Sequence, residues 1–199
     1  MKTIHFSPML AGVIVATLSA CASTTLDTTW RDPTFAGQPF TKVLVVGSTD
    51  SAENRRIFED TVVGELKARG VNAVASYTMI PNESDVKRER VIEAVRTAGA
   101  DCVISTRVVG VETKREQVPV QSPFPGDMDL YRQYSPMEAG TTIRQDYQIA
   151  HMESNLFDAR TGKMVWWGRS SAFPTADISR LSRELGNSII SSLKDAKLL

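Results

Sequence analysis

Three short β-prone runs separated by two amphipathic stretches restrict this chain more than any other feature. Thr41 to Gly47 (Thr-Lys-Val-Leu-Val-Val-Gly) is rich in β-branched residues and ends in glycine, and Asp50-Ser51-Ala52-Glu53 follows as an Asp-x-x-Glu form of the capping box. Between Ser51 and Arg69, residues Phe58, Val62 and Leu66 recur every four positions, Ile57 and Val63 widen the stripe, and Gly70 supplies the stop. Val71 to Tyr77 reads as a second strand. A second helix is predicted from about Ser84 to Ala98, with Val91, Val95 and Ala98 on one face and Gly99 ending it. The third strand starts near Asp101 and continues to about Glu112. Crossovers of this length join parallel strands, and their handedness is almost always right, so the first half predicts a small parallel sheet with helices on its faces.

The second half changes period. Tyr147 to Asp158 and Lys163 to Phe173 alternate in character and are joined by Ala159-Arg160-Thr161-Gly162, which makes them an antiparallel hairpin. Trp166 and Trp167 must then point to opposite faces. A last helix, from about Asp177 to Lys194, sets Ile178, Leu181, Leu185, Ile189 and Leu193 at spacings of three and four. The expected fold is α/β: a small mixed sheet of about five strands, βαβαβ followed by the antiparallel hairpin, with three helices, over residues 40–197.

Between the third strand and the hairpin, residues 115–145 hold Pro119, Pro123, Pro125, Pro136, Gly126 and Gly140 interspersed with Phe124, Tyr131 and Tyr134. Neither a helix nor a core strand is expected there. An excursion of this length is usually functional or disordered, so it is read as a mobile hairpin arm or disordered segment, or else as an ordered arm that binds a partner.

The amino terminus carries an address. Lys2 precedes an apolar run from Pro8 to Leu18, which is too short for a permanent span of a hydrocarbon core ~30 Å thick, and Leu18-Ser19-Ala20-Cys21 follows. This tetrapeptide resembles the bacterial lipoprotein motif, which implies a signal peptide over residues 1–20 and acylation of Cys21, with palmitate among the expected chains. Ala22 and Ser23 replace the aspartate that retains such proteins at the inner membrane, so the resemblance implies the periplasmic face of the outer membrane. Residues 21–39, rich in Ser and Thr, read as a tether, with Trp30 and Phe35 buried along the domain surface. Loss of Lys2 with the leader takes the 23 basic residues to 22 against an unchanged 23 acidic ones. No basic patch follows the anchor, so attachment rests on acyl chains, and no nucleic-acid partner is expected.

Chemistry is sparse. With Cys21 acylated only Cys102 remains, in the apolar run Cys102-Val103-Ile104, and it is read as a core thiol. His5 lies in the leader, leaving His151 as a strand histidine without metal-ligand spacing around it, and no metal or other cofactor is expected. Asp146, His151 and a serine would supply the residue types of a triad, but no Gly-x-Ser-x-Gly elbow exposes a nucleophile. The turn Gly47-Ser48-Thr49-Asp50-Ser51 lacks the glycines and lysine of a phosphate loop, and Asp50 and Glu53 would repel an anion. Arg55-Arg56 and Lys87-Arg88-Glu89-Arg90 read as solvated faces.

The terminal hairpin, Phe157-Asp158-Ala159-Arg160-Thr161-Gly162-Lys163-Met164-Val165-Trp166-Trp167-Gly168, together with the lipobox and the βαβαβ half, resembles small bacterial envelope lipoproteins of unassigned function. Their α/β domain is similar to the TolB amino-terminal domain, to penicillin-binding-protein activator lipoproteins and to the curli-secretion lipoprotein. The resemblance implies a non-catalytic module that engages another envelope protein or a second copy of itself. Phe124, Tyr131 and Tyr134 are the expected contact residues. The alternative is an envelope hydrolase or small-ligand-binding protein, in which Ser48, Thr49, Tyr77 and Arg107 would converge on the cleft at the strand carboxyl ends.

Overall fold

A computed structural model describes residues 24, 26–119, 142–173 and 177–199. Its elements in chain order are β1 (Leu26–Arg31), β2 (Lys42–Ser48), α1 (Ala52–Ala68), β3 (Asn72–Ala75), α2 (Arg88–Ala98), β4 (Cys102–Pro119), β5 (Thr142–Asp158), β6 (Met164–Ala172) and α3 (Ile178–Asp195). Short 3-10 turns occupy Ser76–Thr78 and Glu83–Asp85. One sheet runs in the order β1-β6-β5-β4-β2-β3. The pairs β2–β3 and β2–β4 are parallel, whereas β4–β5, β5–β6 and β6–β1 are antiparallel. This is the mixed α/β sheet expected, with one strand more than the sequence suggested.

Period-two alternation divides the sheet residues between two cores. Val43, Val45, Cys102, Ile104, Met152, Leu156 and Trp166 face α1 and α3, which supply Val62, Leu66, Leu185, Ile189, Ile190 and Leu193. Leu44, Val46 and Val103 face the other way, against Ala94, Val91 and Val95 of α2. Trp166 is buried, and Trp167, on the opposite face, is half-buried with the Arg169 guanidinium 5.6 Å from its ring centroid. Cys102 is fully buried, and burial pushes its thiol far above its ordinary range, as a core position requires.

Helix ends follow local chemistry. Ser51, rather than Asp50, caps α1: its side chain accepts from the Asn54 N–H at 3.2 Å. Asp177 caps α3 by accepting from Arg180 N–H at 2.9 Å. Gly99 takes φ 61° to close α2, which starts at Arg88 because the chain from Glu83 to Asp85 has already turned as a 3-10 segment. The hairpin turn is fixed by Asp158, whose carboxylate accepts from Arg160 N–H at 2.8 Å and whose carbonyl accepts from Gly162 N–H at 2.8 Å.

Two segments differ from expectation. Leu26–Arg31, inside the stretch read as a tether, is an edge strand on β6, with Trp30 opposite Trp167. Its Leu26 packs on the main core, but Trp30 is 43% exposed rather than buried, and Phe35 stacks on Phe40 at 5.4 Å. The second is the excursion. β4 runs on to Pro119 and β5 begins at Thr142, paired from Cys102–Asp158 to Pro119–Thr142 with one register shift between Val108 and Gly110, so the ends of the 115–145 stretch are strand. Here cross-strand pairing overrides weak propensity, as in the Arg115–Asp146 contact of 3.6 Å. The neighbouring strands stop early: β2 leaves β4 at Ser48–Arg107, and β6 leaves β5 at Ala150–Ala172. From Val111 to Pro119 the sheet therefore continues, among the described residues, as a two-stranded ribbon, roughly 30 Å long at ~3.4 Å per residue.

Candidate functional site

A cleft opens where β2 ends and β4 runs on past it, at Thr106 to Val108, the end of the parallel strands that α/β topology favours. A space of about 140 Å³ is bounded by Ser48 and Thr49 after β2, Asn54 and Phe58 of α1, Thr106, Arg107 and Val108 of β4, Met152 of β5, and Leu181 and Leu185 of α3. Ser48, Thr49 and Arg107 thus meet at one place. Tyr77 is not among the lining residues. Ala75 ends β3, and the chain turns as a 3-10 segment, so the Tyr77 hydroxyl donates to Asp60 Oδ1 at 2.8 Å on the flank of α1, and that bond holds the phenol above its ordinary value. Arg107, an odd-numbered neighbour of Thr106, turns its guanidinium to the opposite face of the sheet, where Nη2 lies 3.1 Å from Glu153 Oε2.

That opposite face carries an ion-pair row. Glu153 on β5 accepts from Arg107 on β4 and from Arg169 on β6 at 2.8 Å, and these two guanidinium groups, Arg169 foremost, hold its carboxyl below the ordinary value. Further along, Asp27, Ser171, His151 and Glu112 connect β1, β6, β5 and β4. Ser171 Oγ donates to Asp27 Oδ2 at 2.6 Å and lies 3.0 Å from His151 Nδ1, while His151 Nε2 lies 3.4 Å from Glu112 Oε2. A nucleophilic serine must give its proton to the imidazole; here the hydroxyl proton goes to Asp27, so Nδ1–H is the donor and the serine is an acceptor. Asp146 pairs with Arg115 instead of with His151. The arrangement ties four strands together and does not activate Ser171.

Beneath the cleft floor lies a buried ion pair that sequence reading places on a solvated helix face. Arg55 is 1% exposed and Glu59 is 0%. Glu59 Oε1 accepts from Arg55 Nε, Gly47 N–H and Ser76 Oγ at 2.9, 2.9 and 2.8 Å, and Oε2 accepts from Tyr77 N–H at 2.8 Å. Arg55 Nη1 and Nη2 donate to Ile80 O and Ser76 Oγ, each at 2.8 Å. The pair pins α1 to the end of β2 and to the turn after β3. The only sequence signal for it is the i, i+4 spacing of Arg55 and Glu59 within an otherwise apolar stripe.

Among the described residues no cluster of three or more His, Cys, Asp or Glu is placed to hold a metal, and no helix is long and apolar enough to cross a membrane. Phe124, Tyr131, Tyr134 and Cys21 lie outside the described residues. What stands out around the ribbon root is apolar exposure: Val108, Val109, Val111 and Phe173 are exposed, and the Tyr147 ring lies 5.7 Å from that of Phe173.

No family model matches the chain, and no curated protein does. Similar solved structures include the PelC dodecamer from Paraburkholderia phytofirmans, with 14% identity, a TM-score of 0.46, and 83% of this chain and 96% of that one covered. Lipoprotein GNA1162 from Neisseria meningitidis has 14% identity and a TM-score of 0.43, covering 78% and 99%. A minor lipoprotein from Acinetobacter baumannii has 9% identity and a TM-score of 0.32, covering 79% and 94%. Bacterial lipoproteins are thus among the structures similar to this chain, at a level of likeness that transfers no activity.

Proposed function

We propose that this chain is an outer-membrane lipoprotein, acylated at Cys21, whose periplasmic domain is a non-catalytic binding or assembly module. The observation that carries the reading is the β4–β5 ribbon, which leaves the sheet with neither edge paired to another described strand beyond Arg107 and Ala150. A two-stranded ribbon alone is marginally stable in water, and its free N–H and C=O groups invite another chain. The partner is another envelope protein, gripped by the ribbon and by Phe124, Tyr131 and Tyr134 between its strands. The cleft gives the second reading, a small-ligand site, because Ser48, Thr49 and Arg107 do share it; Phe58, Met152, Leu181 and Leu185 would make its floor suit an apolar group.

A photo-crosslinking residue at Tyr131 tests the first reading in cells. Recovery of one heterologous envelope protein is expected. Self-adducts alone would replace the adaptor reading with a homo-oligomer, and no adduct would overturn it. Labelled palmitate should enter the wild-type chain and not Cys21→Ser.

A further inference from the structure

We infer that the domain is held with the ribbon end of its sheet against the lipid surface, an orientation that rests on acylation of Cys21 and goes beyond it. Of the stretch read as a tether, 21–39, only residues 21–23 precede the first fixed contact, at Thr24. Thr24 N–H and Oγ1 both donate to Glu184 Oε2 of α3, at 3.3 and 3.2 Å, and Ser188 Oγ donates to the Thr24 carbonyl. Thr24 is itself buried, and Glu184 is fixed in turn by Arg180 Nε at 2.9 Å. Two residues further on, β1 is paired to β6.

Three peptide links separate Cys21 from Thr24, so the leash spans roughly 11 Å at full extension. A domain of this size has a radius of gyration of roughly 15 Å. The leash is shorter than the body it holds, and the end that carries Thr24 must face the bilayer.

Strand directions identify that end. β1 is antiparallel to β6, so Leu26 lies beside Ser170, near the finish of β6 at Ala172, and Ala172 lies beside Ala150 on β5. The ribbon leaves the sheet from this same end; it is longer than the leash and carries Glu112, Lys114, Arg115 and Glu116 exposed, so it lies along the headgroups rather than across the bilayer. The opposite end holds the Ala159–Gly162 turn and the start of β2 beside Asp101. Exposure agrees with the assignment: of the seven large apolar side chains exposed among the described residues, Val108, Val109, Val111 and Phe173 gather at the ribbon root. An apolar cluster beside an acyl anchor suits the headgroup boundary.

The test uses the full-length acylated protein in vesicles of phosphatidylethanolamine and phosphatidylglycerol, with bimane on Val111→Cys, Phe173→Cys or Arg160→Cys, and lipids carrying a headgroup-proximal nitroxide. The substituted positions are exposed and Cys102 is buried, so labelling reports the new thiol alone. Quenching at positions 111 and 173 should exceed that at 160 at least two-fold. Equal quenching at both ends, or stronger quenching at 160, would overturn the orientation. Shielding at 111 and 173 that grows with protein density without quenching would overturn it in favour of a second copy on this face. Mass spectrometry of the amino-terminal peptide separates the premises: an acylated Cys21 with equal quenching sinks the orientation alone, whereas an unacylated Cys21 sinks the lipoprotein reading with it.

Discussion

Removing Arg55 should unfold this domain more readily than removing any exposed charge, because Glu59 would be left buried without its cation. Arg55→Met keeps much of the side-chain volume and deletes the bonds to Glu59, Ser76 and the Ile80 carbonyl. Breaking a buried pair from one side costs about 3–5 kcal/mol, where exposed pairs are worth about 0–1 kcal/mol. Glu59→Met should cost at least as much, since it also orphans the N–H groups of Gly47 and Tyr77. At about 2–4 °C per kcal/mol for a domain of this length, either variant should lower Tm by roughly 6–20 °C. The double variant should lose at least ~1 kcal/mol less than the sum of the singles, because each single strands a partner that the double removes. Urea unfolding of the mature domain, followed by circular dichroism, measures all three. Single losses below about 1 kcal/mol, or strict additivity in the double, would refute the pinning role.

Three other outcomes are expected. Glu153 titrates below its ordinary value of 4.5 in the fold, so the stability it contributes is present above that pH and lost as pH falls through the depressed value; Glu153→Gln should flatten the acid limb of a Tm-against-pH curve, and an unchanged limb would count against the Arg169 and Arg107 pairing. Cys102 should resist maleimide in the native domain and take up one equivalent after unfolding, and rapid native labelling would contradict its burial. Deleting 116–144 should shift Tm by no more than ~2 °C and abolish partner recovery, because none of the ribbon residues whose burial is described, 111–116 and 144–149, belongs to either core; a large fall in Tm would show that the segment braces the sheet.

The elements that the chain announces are those whose own side chains fill a core. β2 reads as a strand because Val43 to Val46 are buried on both faces, and α1 reads as a helix because Val62 and Leu66 fall on one stripe. β1 lacks such a pattern: Leu-Asp-Thr-Thr-Trp-Arg becomes a strand only because β6 presents an edge. The charged stretch Glu112 to Glu116 is likewise strand by virtue of its partner across the ribbon. For the cleft, chain order locates Ser48 and Thr49 at a strand's carboxyl end, whereas Phe58, Met152 and Leu185 meet there only after three distant elements pack. Tyr77 was misplaced for a related reason. Ser76 is drawn inward by Glu59 and Arg55, which ends β3 at Ala75 and swings the next side chain to the flank of α1.

The direction of β1 also decides how the domain bears load. With the proposed anchor at Cys21, tension between the anchor and the body of the domain would enter at Thr24 and pull Leu26 outward along the axis of β1, antiparallel to β6. Strands drawn past one another in this way share the strain across all their rungs at once, whereas a pull from the Arg31 side at right angles would open them rung by rung. The bonds from Thr24 to Glu184 and Ser188 lie ahead of the first rung, so α3 takes up part of the force before the sheet does. An edge strand, ordinarily the weakest part of a sheet, is here set in the geometry that resists traction best.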